Sequence, residues 1–382
     1  LVTCLNSTGF GQTGKGVLRG LAQLGEPFAF RCVHEPDLSG EYADEFEHLL
    51  GQLPEPDPED PTLLVWHDFD LSPLRGLNGP RVLYTFFELD RLPGDRARGL
   101  NTLDGVAVPT RWAEKVLRDS GVTVPVAVVR PGVDTAIFHP GVTPAALPGV
   151  ADSTFVVLFA GKWEVRKGCD QVVDIFNRAF RPDDDALLVM HSHNWLKAPG
   201  FDGPDVSRQW GKWATRSPMG RAGKVHVSAT RFQTQGELAS LMRRAQVGLF
   251  PARAEGWNLE AAEVAAVGGR VFMSDNSGHE YGPEAGAFML KASRHAPMRE
   301  PPFIPYTGEA GWYECADDEL DAAAAALRGE YERYRTSPSS YTPNPLGPLF
   351  ARKHTWLKTA SELREFARNP KAGSSATSPT AS

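Results

Sequence analysis

The sequence predicts an α/β protein built from two successive doubly wound parallel sheets, each Rossmann-like. Three observations predict this. Short runs rich in Val, Leu, Ile and Phe alternate with segments of helical period, the pattern of strands joined by crossover helices. The alternation stops in a proline-rich stretch at 138–153 and then restarts. The 382 residues exceed what one core supports but suit two domains of roughly 150–200 residues each.

Taken in order, the first half offers strands near 1–6, 28–33, 62–66, 81–86, 104–108 and 126–130. Val17, Leu18, Leu21 and Leu24 form an apolar stripe at helical spacing between the first two. In the second half the strands fall near 154–160, 186–190, 224–229, 246–250, 271–274 and 287–290. Helices fit between them, one carrying Val172, Val173, Phe176 and Phe180, another Leu238, Leu241, Met242 and Ala245. A last helix presents Trp356, Ala360, Leu363 and Ala367 on one face. The expected domains are residues 1–145 and 150–340, followed by a helix at 350–368. The small polar residues of 369–382 read as a disordered tail.

Composition removes several function classes. Hydrophobic residues at 41% and charged residues at 23% describe a globular chain. Net charge is 40 − 47 = −7, so no chain-wide basic field exists to hold nucleic acid. Cys4, Cys32, Cys169 and Cys315 form no CxxC pair, which fits neither a disulfide scaffold nor a zinc ribbon. No His/Asp/Glu grouping has metal-ligand spacing. No apolar run reaches the ~18 residues of a membrane span, and no basic-then-apolar leader opens the sequence. The expectation is a cytoplasmic protein, at most peripheral at a membrane.

Gly9, Gly11 and Gly14 spell GxGxxG after the first strand, and Glu35 lies 21 residues beyond Gly14. This is the dinucleotide-binding fingerprint, and it keeps an NAD-dependent oxidoreductase open as an alternative. A P-loop reading fails because Gly16 stands where a Ser or Thr hydroxyl would hold magnesium. A helix starting near Gln12 would aim its positive end at a phosphate.

A second motif is more informative. After the apolar run at 246–250 comes Glu255-Gly-Trp-Asn-Leu-Glu-Ala-Ala-Glu263, two acids separated by seven residues. Gly256 would leave the amides of Gly256, Trp257 and Asn258 free at a helix start. Glu263 would lie one turn in and point back over the N-terminus. Two acceptor-only carboxylates flanking an anion-binding helix end suit a ligand with hydroxyls on either side of a diphosphate. A nucleotide-sugar has that shape. The plainer reading of Glu260 and Glu263 is that acids favour the first helical turn.

These residues resemble the E-x7-E motif of retaining family-four glycosyltransferases with the GT-B fold. The segment Gly161-Lys162-Trp163-Glu164-Val165-Arg166-Lys167-Gly168 is similar to that family's basic stretch after the first strand of the second domain. Arg130-Pro131-Gly132-Val133-Asp134, then Phe138 and Pro140, resembles its passage at the domain junction. The resemblance implies two domains facing a cleft, with the C-terminal helix crossing back to the first. It implies a nucleotide-sugar donor (UDP- or GDP-linked), no cofactor and no metal.

By that resemblance Glu263 would bind the ribose. Glu255, with the amides of Gly256, Trp257, Asn258 and Leu259, would hold the transferred sugar. Lys162, Arg166 and Lys167 would neutralise the departing diphosphate, and Gly11 would close over it from the other domain. A glycosyl–phosphate bond that breaks leaves negative charge on the leaving group, which fixed cations stabilise. His191 and His193 would line the donor side. His67, Asp68 and Glu88, after strands of the first domain, would meet the acceptor, a glycan, a lipid-linked compound or another hydroxyl. Arg208, Lys212 and Arg216, interleaved with Trp210 and Trp213, read either as a solvated helix face with inward tryptophans or as docking for a polyanionic acceptor. A non-catalytic nucleotide-sugar-binding protein on the same fold is the remaining alternative.

Overall fold

The structure is a computed structural model that describes residues 1–198, 201–228, 231–299, 310–338, 341 and 344–371. The tail expected from 369 lies, from 372 on, outside the described residues. Contacts divide the chain into two units. Leu1–Asp134 with the chain from Lys353 on forms one, and Thr135–Arg352 forms the other.

The first unit runs β1 (Val2–Thr3), α1 (Gly9–Gln23), β2 (Arg31–Cys32), α2 (Ala43–Leu50), β3 (Thr62–Val65), β4 (Arg81–Tyr84), α3 (Gly94–Leu100), β5 (Gly105–Val108), α4 (Arg111–Asp119) and β6 (Val126–Val128). The second opens with β7 (Phe155–Gly161), α5 (Cys169–Ala179) and β8 (Ala186–Ser192). A small hairpin, β9 (Lys197–Ala198) and β10 (Phe201–Asp202), leads into α6 (Gly203–Thr215), α7 (Pro218–Arg221) and β11 (Val225–Ser228). Then follow α8 (Gln235–Arg244), β12 (Val247–Phe250), α9 (Leu259–Ala266), β13 (Arg270–Ser274) and β14 (Phe288–Leu290). The hairpin β15 (Arg294–Pro297) and β16 (Gly311–Glu314), α10 (Asp317–Thr336) and α11 (Gly347–Lys353) complete the unit. Helix α12 (Trp356–Arg368) belongs to the first unit.

Each unit holds a six-stranded parallel sheet, ordered β2-β1-β3-β4-β5-β6 and β11-β8-β7-β12-β13-β14. β3 is buried along its whole length, and β7 at all but its last residue, as strands covered by helices on both faces must be. All twelve expected strands are present, ten within two residues at either end, while β1 ends and β2 starts three residues from the expected bounds. The two hairpins carry no apolar run of their own and escaped the sequence reading.

The strand order places a topological switch point between β1 and β3 in the first unit and between β7 and β12 in the second. In open α/β sheets the crevice beyond the carboxyl ends of the strands at that point is where ligands bind.

Two expectations about chain organisation need correction. The division at Asp134 precedes the boundary expected near 145, because the proline-rich stretch packs on the second unit. There Ala145 N donates to Ser240 O at 2.9 Å, and Arg243 Nε donates to Pro140 O at 3.0 Å. The GxGxxG glycines lie inside α1, which starts at Gly9 rather than near Gln12. Thr8 is its N-cap and accepts from Gly11 N at 3.3 Å. A Cβ on Gly11 or Gly14 would meet the backbone of Asn6 or Cys4 at 2.5 or 2.3 Å.

The next two glycines of α1 serve its packing on α12. A Cβ on Gly16 would fall 2.2 Å from the Trp356 ring, and one on Gly20 would fall 2.6 Å from Trp356 O. Val17, Leu18 and Leu21 share one core with Ala360, Leu363 and Phe366. No described helix is long and apolar enough to cross a membrane.

Candidate active site

Two loops meet at the switch point of the second sheet. After β7 the chain turns at Gly161 (φ +149°), makes a short helical turn over Val165–Lys167, and enters α5 through Gly168 (φ +69°). A Cβ on Gly168 would stand 2.1 Å from Pro251 O, so only glycine lets α5 start against the end of β12. The loop after β12 is stitched to this turn. Arg253 N and Ala254 N both donate to Arg166 O, at 2.6 and 3.3 Å.

This packing draws the motif charges into a buried chain of ion pairs. Glu255 Oε1 meets Lys167 Nζ at 2.8 Å, and its Oε2 meets Arg166 Nη1 at 2.9 Å. Arg166 also reaches Glu164 at 2.6 Å, and Lys162 meets Glu164 at 3.2 Å. Side chains of Glu164, Arg166, Lys167 and Glu255 are all under 10% exposed, while Lys162 is 34% exposed. Burial alone would discharge Glu164, but Arg166 and Lys162 outweigh it and lower its pKa to about 2. Burial likewise opposes the charge of Lys167, yet Glu255 and then Glu260 hold its pKa above the ordinary lysine value.

Glu255 therefore does not stand open to a sugar, as its place in the motif had suggested. A carboxylate this deep must be paired, and both of its oxygens are engaged by Arg166 and Lys167. Glu260, read as a first-turn acid only, lies 3.8 Å from Lys167.

Helix α9 begins directly after. Asn258 is its N-cap in the left-handed region (φ +80°), and its side chain accepts from Ala261 N at 3.1 Å. The Asn258 amide also faces His279 Nε2 at 3.1 Å, while His279 Nδ1 lies 3.0 Å from Ser274 O. An amide nitrogen can only donate, so Nε2 accepts, Nδ1 carries the proton and the ring is neutral. Burial accordingly lowers the His279 pKa to about 4, against the pull of Glu255.

Among the described residues the amides of Gly256, Trp257 and Asn258 find no hydrogen-bond acceptor, and buried Trp257 Nε1 finds none. Glu263 lies one turn into α9 and is half-buried, as its spacing predicts. His279 and Asn258's capping role escaped the sequence reading, since His279 lies in a different loop. Glu164 was visible within the basic segment but was not read as its counter-charge.

The family model described as "Family 4 Glycosyltransferase in conflict systems" matches residues 106–361. The chain belongs to this glycosyltransferase family. It is 29% identical over 226 residues to D-inositol 3-phosphate glycosyltransferase 1 of Catenulispora acidiphila, a match covering 53% of this chain and 52% of that protein. The chain thus spans about half the length of the curated relative it matches.

Among solved structures, sucrose-phosphate synthase from Thermosynechococcus elongatus superposes with a TM-score of 0.66 at 16% identity, over 98% of this chain and 96% of that one. The α,α-trehalose 6-phosphate synthase of Burkholderia multivorans gives 0.60 at 17% identity, over 86% and 74%. These likenesses establish the GT-B fold and support no oxidoreductase reading.

β8 runs through Ser192, so His191 lies within the strand rather than after it. Its ring stacks on Phe232 at 4.5 Å, and its buried Nδ1 finds no hydrogen-bond partner among the described residues. Burial, aided by His193, lowers its pKa to about 4, so it too is neutral. His191 pairs in register with Ala160 of β7, near the carboxyl end of the strand that Lys162 follows.

In the first unit His67 follows β3 and packs against Phe10 of α1 and Phe69, with ring centroids at 4.3 and 4.8 Å. Asp68 was expected to face an acceptor. It is instead buried and paired with buried Arg96 at 3.1 Å, because a carboxylate this deep needs a cation. β4 ends at Tyr84, so Glu88 sits in the loop beyond, half-buried, and not at a strand end.

Arg208 and Lys212 on α6 and its C-cap Arg216 are exposed, and Arg208 pairs with Asp205 at 3.3 Å. Only one tryptophan packs inward. Trp210 stacks on Trp163 at 5.9 Å, whereas Trp213 is 44% exposed. Among the described residues, no three His, Cys, Asp or Glu side chains could hold a metal ion.

Proposed function

We propose that this chain transfers a glycosyl group from a nucleoside-diphosphate sugar to an acceptor hydroxyl, with retention of anomeric configuration. The supporting observation is the meeting of cations and unpaired donors at one sheet switch point. Arg166 and Lys167 converge from the β7 loop on Glu255, and Lys162 joins them through Glu164. The amides of Gly256, Trp257 and Asn258 and the N-terminus of α9 lie directly beyond Glu255.

In this reading Lys162 and Lys167 meet the departing diphosphate, and the α9 terminus adds its dipole to theirs. Side chains rather than a metal supply the positive charge. Glu255 keeps Arg166 and Lys167 charged and oriented, so it acts on the sugar's leaving group through them. Glu263 accepts from the ribose hydroxyls. His191, neutral at physiological pH, offers Nδ1 for a hydrogen bond without adding charge. Acceptor binding falls to the first unit near His67, and the exposed face of α6 carrying Arg208, Lys212 and Arg216 docks an anionic acceptor.

A panel of UDP- and GDP-sugars, assayed for transfer and hydrolysis, tests the reading. Lys167→Met should lower nucleoside-diphosphate affinity about 10- to 100-fold, the loss of one charge-assisted contact of roughly 1.5–3 kcal/mol. No turnover of any donor, together with unchanged diphosphate binding in Lys167→Met, would refute it.

A further inference from the structure

Arg253 is absent from the motifs read in the sequence, yet it is among the most heavily engaged side chains of the second unit. It follows β12 and is 5% exposed. Its Nη1 donates to Val165 O at 2.7 Å. Nη1 and Nη2 together grip both oxygens of Asp170, in the first turn of α5, at 2.7 and 2.5 Å. Nε donates to buried Glu314, at the end of β16, at 2.9 Å. Its own amide donates to Arg166 O at 2.6 Å. One residue thus binds two consecutive carbonyls of the turn that carries the candidate cations. That turn has a single internal backbone bond at each end, Lys167 N to Glu164 O and Gly168 N to Val165 O, at 3.2 and 3.0 Å.

We propose that Arg253 is a positioning residue of the donor site. It clamps the Val165–Lys167 turn between Asp170 and Glu314, and so sets Arg166 and Lys167 against Glu255. The inference rests on the donor-site reading above. Arg253 has no described contact with Glu255 or Lys167 and acts through the backbone of the turn. Only a guanidinium can satisfy these partners at once, since its planar fork serves a carboxylate and a carbonyl together while Nε serves a second carboxylate.

Arg253→Lys keeps the positive charge that Asp170 and Glu314 require, but one ammonium cannot reach all three partners. The full chain and this variant are titrated calorimetrically with UDP and GDP and with the corresponding monophosphates, beside thermal melting. The expected result is a melting midpoint near that of the unaltered chain with diphosphate affinity lowered about 10-fold or more, and a smaller loss for the monophosphate. A purely structural Arg253 would instead lower the midpoint and change both nucleotides alike. Unchanged diphosphate affinity in Arg253→Lys, or that equal loss, overturns the proposal.

Lys167→Met separates the two readings. If it binds diphosphate normally, the donor site itself has been misplaced, whatever Arg253 does. Should Arg253→Lys fail to fold, Asp170→Asn carries the test. It leaves Arg253 in place with a weaker grip, and the same ordering of diphosphate over monophosphate losses is expected.

Discussion

Glu255, Glu260 and Glu263 share one short segment yet have three different environments. Glu255 is sealed against Arg166 and Lys167, Glu260 is partly open 3.8 Å from Lys167, and Glu263 sits half-buried one turn along α9. Their substitutions should separate accordingly. Glu263→Ala should weaken donor binding about 10- to 100-fold by removing a hydrogen bond to a charged acceptor, roughly 1.5–3 kcal/mol. Glu260→Ala removes a partly solvated ion pair worth at most about 1 kcal/mol and should change affinity less than about 5-fold. Titration of both variants with one nucleotide-sugar checks the order, and equal effects would break the assignment. Spacing in the sequence was enough to single out Glu255 and Glu263. It could not show that Glu255 faces cations, because those arrive from a loop about ninety residues earlier.

At the scale of elements, the glycines of α1 show how a motif can be legible while the start of its helix is misplaced. Gly9, Gly11 and Gly14 match a nucleotide-binding fingerprint, but the structure uses the glycine series 11, 14, 16 and 20 to bring α1 against β1 and α12. Gly9 has open space around it and no unusual backbone angle. Gly9→Ala should therefore be neutral or stabilising by up to about 1 kcal/mol. Gly20→Ala, whose Cβ would press on the Trp356 carbonyl and Ala360, should destabilise by about 1–3 kcal/mol. Thermal melting of the two variants decides between packing and a ligand-binding turn. The same comparison explains why the helix start was misplaced. Glycine has poor helix propensity, and the cap at Thr8 gave the only local sign.

For the whole molecule, the two sheets were legible because the central strands, such as β3, β7 and β12, are buried apolar runs and each run needs covering helices. Stability against acid is a property of the assembled second unit. His191 and His279 are held neutral with pKa values near 4, burial being the main cause in each. Between about 6.5 and 4 the unfolded chain binds protons at these rings that the folded chain refuses, so stability falls as pH drops through that window. For His279, fully buried, the loss is on the order of 3 kcal/mol. Glu164, held near 2, adds a further loss from about 4.5 downward. Denaturant unfolding of the second unit should show this decline starting near pH 6.5, and a flat profile down to pH 4.5 would contradict it.

What the sequence determined by itself was therefore the local and periodic part: strands, covering helices, the E-x7-E spacing and the basic segment, all written in residues close along the chain. Only the tertiary structure decided which charges neutralise one another. It committed Asp68 to Arg96, joined Arg253 to Asp170 and Glu314, and turned the glycine motif from a loop into a helix contact. The reason is physical. A buried charge must find a partner wherever the fold places one, and that partner's distance in sequence carries no energetic weight once the sheet has brought the two together.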